Sequence, residues 1–454
     1  MTAGAARPVR PRRDGDDRHV PFVAASLAFG VLGGFSLAVS LPIEVAIGSV
    51  DISWVAHAQV HGHLQFLGFA GLFVVGMALR LMPRFGGGGD LQHPRAVRPL
   101  FLLLVFGMVC RALGQPLADV PAFAALLAAG AIAELLGALL FLLVAVRTLA
   151  PALREASAPA WLLAGAAVGF VSQAAFGAIW LCELALDGGT VLPFDRNATL
   201  VNLQLFGTLL PAILGVGLRT FPTFFGRPHP SSLAGRAIAA AAIGGSAAWT
   251  AGRLVEVYSD AAPWALLDAG QAMVGLAILG AIAAFGPWRS PRRLAPASRG
   301  LAWAIQPVAL WLALTGVLLI ATAIQSAVAA EAVGASTLDA VRHLFAVGVV
   351  TLAIVGMAQL MLPEFASERL VRGPTPRRGP IFGAILSVAV VLRALVPLAG
   401  LEGEERWWSM AAAGAIAWLA VAAFAVLVWR ARRTHRAHVA RISAARASEL
   451  PMRS

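Results

Sequence analysis

The chain has 454 residues, of which 59% are hydrophobic and only 13% are charged, whereas soluble domains are about 25% charged. Its formal net charge of +12 comes entirely from arginine, since the sequence contains no lysine. This composition excludes an ordinary soluble domain. The positive charge is then better explained by membrane topology than by nucleic-acid binding.

Long apolar segments recur from one end of the chain to the other. Each is long enough to cross a bilayer core of about 30 Å as a helix. The sequence therefore predicts an all-α, polytopic membrane protein with about twelve transmembrane helices, whose main partner is the lipid bilayer. The predicted spans are 21–41, 53–82, 98–116, 122–149, 158–186, 198–224, 233–255, 263–287, 301–329, 337–363, 379–398 and 407–429.

Arginine-rich and acidic segments alternate between these spans. The basic segments include the arm at 1–20 and the tail at 430–454, and an acidic loop follows the first span. Arginine-rich loops remain on the cytoplasmic side of a membrane. Both termini are therefore predicted to be cytoplasmic, which agrees with an even number of spans. The basic tail is predicted to contact lipid headgroups.

A short pattern occurs three times at nearly equal spacing. Residues 63–68 read HLQFLG, residues 202–207 read NLQLFG and residues 343–348 read HLFAVG. Such self-similarity at a fixed period indicates repeated structural units. We expect three parallel four-helix repeats, arranged about an axis along the membrane normal. The predicted organisation is the arm 1–20, repeats at 21–149, 150–287 and 288–429, and the tail 430–454.

The helix after each copy of this pattern carries an arginine near its outer end. Arg111, Arg253 and Arg393 therefore lie at similar predicted depth. Arginine binds carboxylates in a bidentate manner, so these side chains are candidates to hold the propionates of a porphyrin. The alternative is that they extend to the outer membrane surface.

Four histidines, His57, His61, His63 and His343, lie in the first turns of helices that enter from the outside. Polar side chains at membrane depth are costly and indicate functional sites. A histidine of the second span, His61 or His63, can meet His343 across a central space, which suits axial haem ligation. Copper could be held by the His57 and His61 pair, or by a histidine that the haem leaves free. The alternative is a set of hydrogen-bonded histidines at the headgroup interface.

Three segments resemble the motifs of NnrS proteins. Residues 61–69 (HGHLQFLGF) resemble the family's H-x-H-x-x-x-x-G-F segment. Residues 196–225 resemble its central segment, which begins R-N and ends near G-G-R-x-x-P-x-F, and residues 342–348 (RHLFAVG) resemble its H-A-x-x-V-G segment. The resemblance covers nearly the whole chain in motif order and in helix number.

This resemblance implies a haem- and copper-containing protein of the bacterial inner membrane, with a function in nitric oxide response and resistance to nitrosative stress. It also implies an architecture like that of the catalytic subunit of haem-copper oxidases. We expect a b-type haem near the outer face, with nitric oxide as its small ligand. A working terminal oxidase is not expected, because Asn202 replaces a copper-ligating histidine and Tyr258, the sole tyrosine, lies in a predicted outer loop.

Two other functions remain open at the level of sequence. Tandem parallel repeats also occur in transporters and permeases, and an assembly factor for a respiratory complex would have a similar composition. The sequence identifies neither an electron donor nor a catalytic residue.

Overall fold

A computed structural model describes residues 17–259, 263–290, 299–300, 302–329, 334–373 and 378–449. Most of the predicted arm 1–20, parts of four loops and the last five residues of the tail lie outside these ranges. The protein is an all-α, polytopic membrane protein, and its described residues form no strand.

Thirteen helical segments account for the described residues. The first six are α1 (His19–Ala46), α2 (Trp54–Phe85), α3 (Pro94–Leu117), α4 (Pro121–Arg154), α5 (Ala158–Leu186) and α6 (Phe194–Phe224). The others are α7 (Ser232–Tyr258), α8 (Trp264–Phe285), α9 (Ala302–Ala329), α10 (Ala335–Met361), the short α11 (Pro363–Arg372), α12 (Arg378–Leu398) and α13 (Gly403–Glu449).

Eleven of the described helices are long and apolar enough to cross a membrane, whereas the sequence predicted about twelve spans. The difference is α7, which forms at the predicted position 233–255 but is less apolar than the others because it is rich in glycine, serine and threonine. Its 27 residues would reach about 40 Å. It packs along α8 and α5.

Three helices form the centre of the bundle. In their most apolar stretches, α2, α6 and α10 are 83%, 78% and 83% buried, whereas the other candidate spans are 33–50% buried. These are the second helices of the three predicted repeats. They contact one another in all three pairwise combinations, so side chains of α2, α6 and α10 meet in the middle of the bundle.

Each central helix contains a π-helical segment just after its first turns. These segments are Leu64–Gly71, Leu203–Leu209 and Leu344–Thr351. Their first residues are separated by 139 (203 − 64) and 280 (344 − 64), the offsets of the sequence repeat. The wider π-helical turn inserts a residue into the helix, re-aims the side chains around it and occurs frequently at functional sites.

At the end of the bundle where α1 begins, charged residues of α1, α11 and α13 join these three helices. Glu364 on α11 is buried and lies 2.9 Å from Arg432 on α13 and 3.4 Å from His19 on α1. Burial alone would raise the pKa of Glu364, but the hydrogen bond with His19 and the charge of Arg432 lower this pKa to about 2. Both partners therefore meet an ionised carboxylate at neutral pH.

The last helix continues far beyond the predicted span 407–429. It has 47 residues, which corresponds to about 70 Å. The predicted basic tail is therefore a helical extension of α13 as far as Glu449.

Candidate haem cavity

A cavity of about 640 Å³ lies between the first helices of the chain and the last three spans. Ligand and cofactor sites are typically about 300–1,000 Å³. Side chains from α1, α2, α6, α10, α12 and α13 form its walls. Most of these side chains are apolar, and the polar ones among the described residues, with the two tryptophans, are Trp54, His61, Gln65, Ser336, Asp339, Arg342, His343, Arg393, Arg406 and Trp407.

His61 reaches this cavity from the second turn of α2. Its Nδ1–H donates to the carbonyl of Gly34 at 2.8 Å. Gly34 ends a π-helical segment, Gly30–Gly34, in α1. A neutral imidazole that donates from Nδ1 keeps a lone pair on Nε2. Nε2 of His61 makes no hydrogen bond with any described residue, so it is available to a ligand.

His343 reaches the same cavity from α10. Its Nδ1–H is shared between the backbone carbonyl of Asp339 at 2.9 Å and the Asp339 carboxylate at 3.1 Å. The same carboxylate accepts two hydrogen bonds from Arg393, at 2.7 and 3.3 Å. Metal-ligating histidines usually donate their other ring N–H to a carbonyl or carboxylate. His61 and His343 both show this arrangement.

The cavity carries more positive than negative charge. Arg342, Arg393 and Arg406 line it, while Asp339 is the one acidic side chain among its described lining residues. Arg342 contacts Asn202 at 3.4 Å. Arg406 packs 5.8 Å from the ring centre of Trp407, and its buried Nε has no hydrogen-bond partner in the part of the chain that the structure describes. Unbalanced guanidinium groups at this depth favour an anionic ligand such as a carboxylate.

His63 belongs to a different polar cluster. Arg111 donates to its Nδ1 at 3.0 Å, and its Nε2–H donates to Glu134 on α4 at 2.7 Å. Arg111 also donates a hydrogen bond to Gln115 at 3.0 Å, and Gln115 donates to Gln59 at 2.7 Å. All five side chains are buried. Both ring nitrogens of His63 are occupied, and His63 does not line the cavity.

The remaining predicted site residues also lie outside the cavity lining. Arg253 pairs with Glu256 at 2.7 Å on the same helix. His57 lies 3.0 Å from the hydroxyl of Ser53. Of the three arginines predicted to surround a porphyrin, the structure brings Arg393 to the cavity, whereas Arg111 contacts His63.

The residues that line the cavity fit a haem. Two imidazoles on facing helices can supply axial nitrogens, apolar walls can cover the macrocycle, and Arg342 and Arg406 can pair with propionates. In the part of the chain that the structure describes, no three His, Cys, Asp or Glu side chains come together as metal ligands. Copper binding therefore stays a prediction, and we derive no chemistry from it.

Among the lining residues that the sequence did not identify are Asp339, Arg342, Arg406 and Gln65. Arg342 and Arg406 lie near the ends of spans that adjoin acidic loops, where a cation is an exception to the charge alternation. That exception could have identified them as candidate site residues. Gln65 follows His61 by four residues and so shares its helix face, and this spacing could have identified Gln65 as well.

No family model matches the chain, and no curated protein sequence matches it significantly. The resemblance to NnrS proteins rests on the three sequence motifs alone.

Proposed function

We propose that the protein holds a haem in this cavity and binds nitric oxide there. His61 and His343 would supply the axial nitrogens, and the resemblance to NnrS proteins connects the site with the response to nitric oxide. The observation that carries the proposal is the matched pair of histidines on α2 and α10. Each has Nδ1 committed to a backbone carbonyl and Nε2 available within one cavity.

The surrounding residues would fix the orientation of the haem. Asp339 holds the ring of His343 in one orientation and is itself held by Arg393. Arg342 and Arg406 would bind the propionates, since arginine pairs with carboxylates through two parallel hydrogen bonds. Phe35 and Phe66 would cover the apolar faces and exclude water. The haem would supply an iron centre at which nitric oxide binds.

We further propose that the protein lies in the bacterial inner membrane with both termini in the cytoplasm. The alternation of arginine-rich and acidic loops supports this orientation. The cavity lies near the ends of helices that join the acidic loops, so it would face the outer side. Nitric oxide is small and uncharged, and it would reach the site through the membrane or from that side.

Replacement of single histidines tests the assignment. The His343→Ala variant, purified after expression with ample haem, is expected to lose the Soret band. His61→Ala is expected to shift the band or remove it. His57→Ala is the matched control, because His57 is on the same helix but does not line the cavity. Loss of the band in the control, or its retention unchanged in both other variants, would contradict the assignment.

A further inference from the structure

Gln65 is a buried amide on the cavity wall without a hydrogen-bond partner among the described residues. It lies four residues after His61 and therefore on the same face of α2. Its side chain is part of the cavity lining and is only 6% exposed. Its Oε1 is buried without a hydrogen bond, and its nitrogen makes none with any described residue.

The equivalent residue of the middle repeat has a different environment. Gln204 follows Gln65 by 139 residues, and its amide donates to Gln173 at 2.8 Å. Both side chains of that pair are buried. The buried Oε1 of Gln65 faces Gly34 of α1. The NH₂ group of the same amide can donate two hydrogen bonds and has no acceptor among the described residues, so it is left to donate to a ligand in the cavity.

The two histidines of the cavity are also unequally supported. His343 donates to both a carbonyl and a carboxylate of Asp339, and Arg393 holds that carboxylate. His61 donates to a single carbonyl. A carboxylate partner raises the basicity of a ligating imidazole and fixes its orientation. His343 is therefore the more strongly held ligand of the two.

We propose that a diatomic ligand such as nitric oxide is held on the His61 side of the cavity and accepts a hydrogen bond from the amide of Gln65. With a haem in the cavity, His343 would remain bound to it, and the diatomic ligand would replace His61. This replacement would involve no transfer of a proton or an electron. The inference rests on the proposed haem site, and it assigns different roles to its two sides.

Two isosteric variants test the role of Gln65. Gln65→Met removes the unpartnered amide, whereas the control Gln204→Met breaks an existing amide pair. In the haem-free protein, the melting temperature of Gln65→Met is expected to equal or exceed that of the wild type, and Gln204→Met is expected to melt lower. In the haem-loaded protein, Gln65→Met is expected to shift the N–O stretching frequency and to release nitric oxide about two- to tenfold faster, the range for loss of one hydrogen bond.

The outcomes separate this inference from the proposed function. If haem-free Gln65→Met melts lower than the wild type or fails to fold, the amide is needed inside the protein and the inference is wrong. Unchanged nitric oxide release and N–O stretching also contradict it. If the wild type binds no haem, the proposed function itself fails, whatever the melting temperatures show. Retention of haem by His343→Gly together with its loss from His61→Gly would reverse the assigned sides.

Discussion

The buried cluster around His63 illustrates how charged residues are tolerated inside this bundle. His63 lies between the guanidinium of Arg111 and the carboxylate of Glu134. Removal of one partner from a buried ionic group typically costs about 3–5 kcal/mol, because the other charge is then left uncompensated. Each member of the cluster has a partner, so the cluster joins α2, α3 and α4 within the first predicted repeat.

The carboxylate of Glu364, at the end of the bundle where α1 begins, makes the stability of the fold dependent on pH. Its pKa is lowered to about 2 from an ordinary value of 4.5. A carboxyl group with a lowered pKa stabilises the fold above its unfolded-state value, and this stabilisation is lost as the pH falls through the folded-state value. We expect a loss of roughly 2–3 kcal/mol between pH 4.5 and pH 2.

Chemical unfolding of the detergent-solubilised protein at several pH values measures this effect. Glu364→Gln is expected to be less stable than the wild type at pH 7 and to lose less stability on acidification. Other carboxyl groups titrate in both proteins, so the difference between the two unfolding curves isolates Glu364. A constant difference from pH 7 to pH 3 would show that this residue is not responsible.

At the scale of single residues, the sequence predicted the depth of the histidines but not their neighbours. His61 and His63 are two positions apart and so point about 200° away from each other around the helix. Which of them meets His343 depends on the rotation of α2, which is fixed by Arg111 and Glu134 on other helices. These partners come from positions 48 and 71 residues away from His63. No local pattern identifies contacts of that range.

The π-helical segments are the feature of the helices that the apolar pattern does not show. A segment such as Leu64–Gly71 is apolar apart from Gln65 and fully buried, so its hydrophobicity is the same whether the turn is α-helical or π-helical. Helix positions could be predicted because apolar length alone defines a span. The widened turns depend on packing between helices, as at Gly34, where α1 approaches α2 closely.

Gly34 makes this close approach testable. A Cβ atom at position 34 would collide with the side chain of Gln65 and approach the backbone of α2. Gly34→Ala is therefore expected to push aside the amide of Gln65, shift the carbonyl that orients His61 and destabilise the protein by about 1 kcal/mol, the lower end of the range for overpacking. Thermal unfolding measures the stability, and the haem content reports the orientation of His61.

Gly62→Ala provides the control on the same face of the cavity. A Cβ atom there meets only Phe66 at an ordinary distance of 3.8 Å. Alanine is the better helix former, so this variant is expected to keep or slightly raise stability. Equal destabilisation by the two substitutions would show that close packing at Gly34 is not the cause.

At the scale of the whole molecule, composition correctly predicted an all-α, polytopic membrane protein. The segments related by offsets of 139 and 280 residues lie in α2, α6 and α10, the three most buried spans, and the arrangement as three parallel repeats stays a prediction. The length of α13 could not be predicted, because its basic part is polar and lacks the apolar signal that defines a span.

Cysteine labelling tests the orientation of the molecule. The native Cys110 and Cys182 are first replaced by alanine, and single cysteines are introduced as Ile52→Cys and Leu233→Cys. Both positions are exposed, at 98% and 74%, and they lie at opposite predicted faces. A membrane-impermeant maleimide applied to spheroplasts is expected to label position 52 and not position 233. Labelling in the reverse pattern would invert the topology and place the cavity at the cytoplasmic face.

The absorbance spectrum of the purified wild-type protein is the most direct test of a haem in the cavity between α2 and α10. After expression with ample haem, we expect a Soret band, one haem per chain by pyridine haemochrome assay, and a change in the spectrum on addition of nitric oxide to the reduced protein. A folded, monodisperse preparation without a Soret band would contradict the assignment of a haem to this cavity.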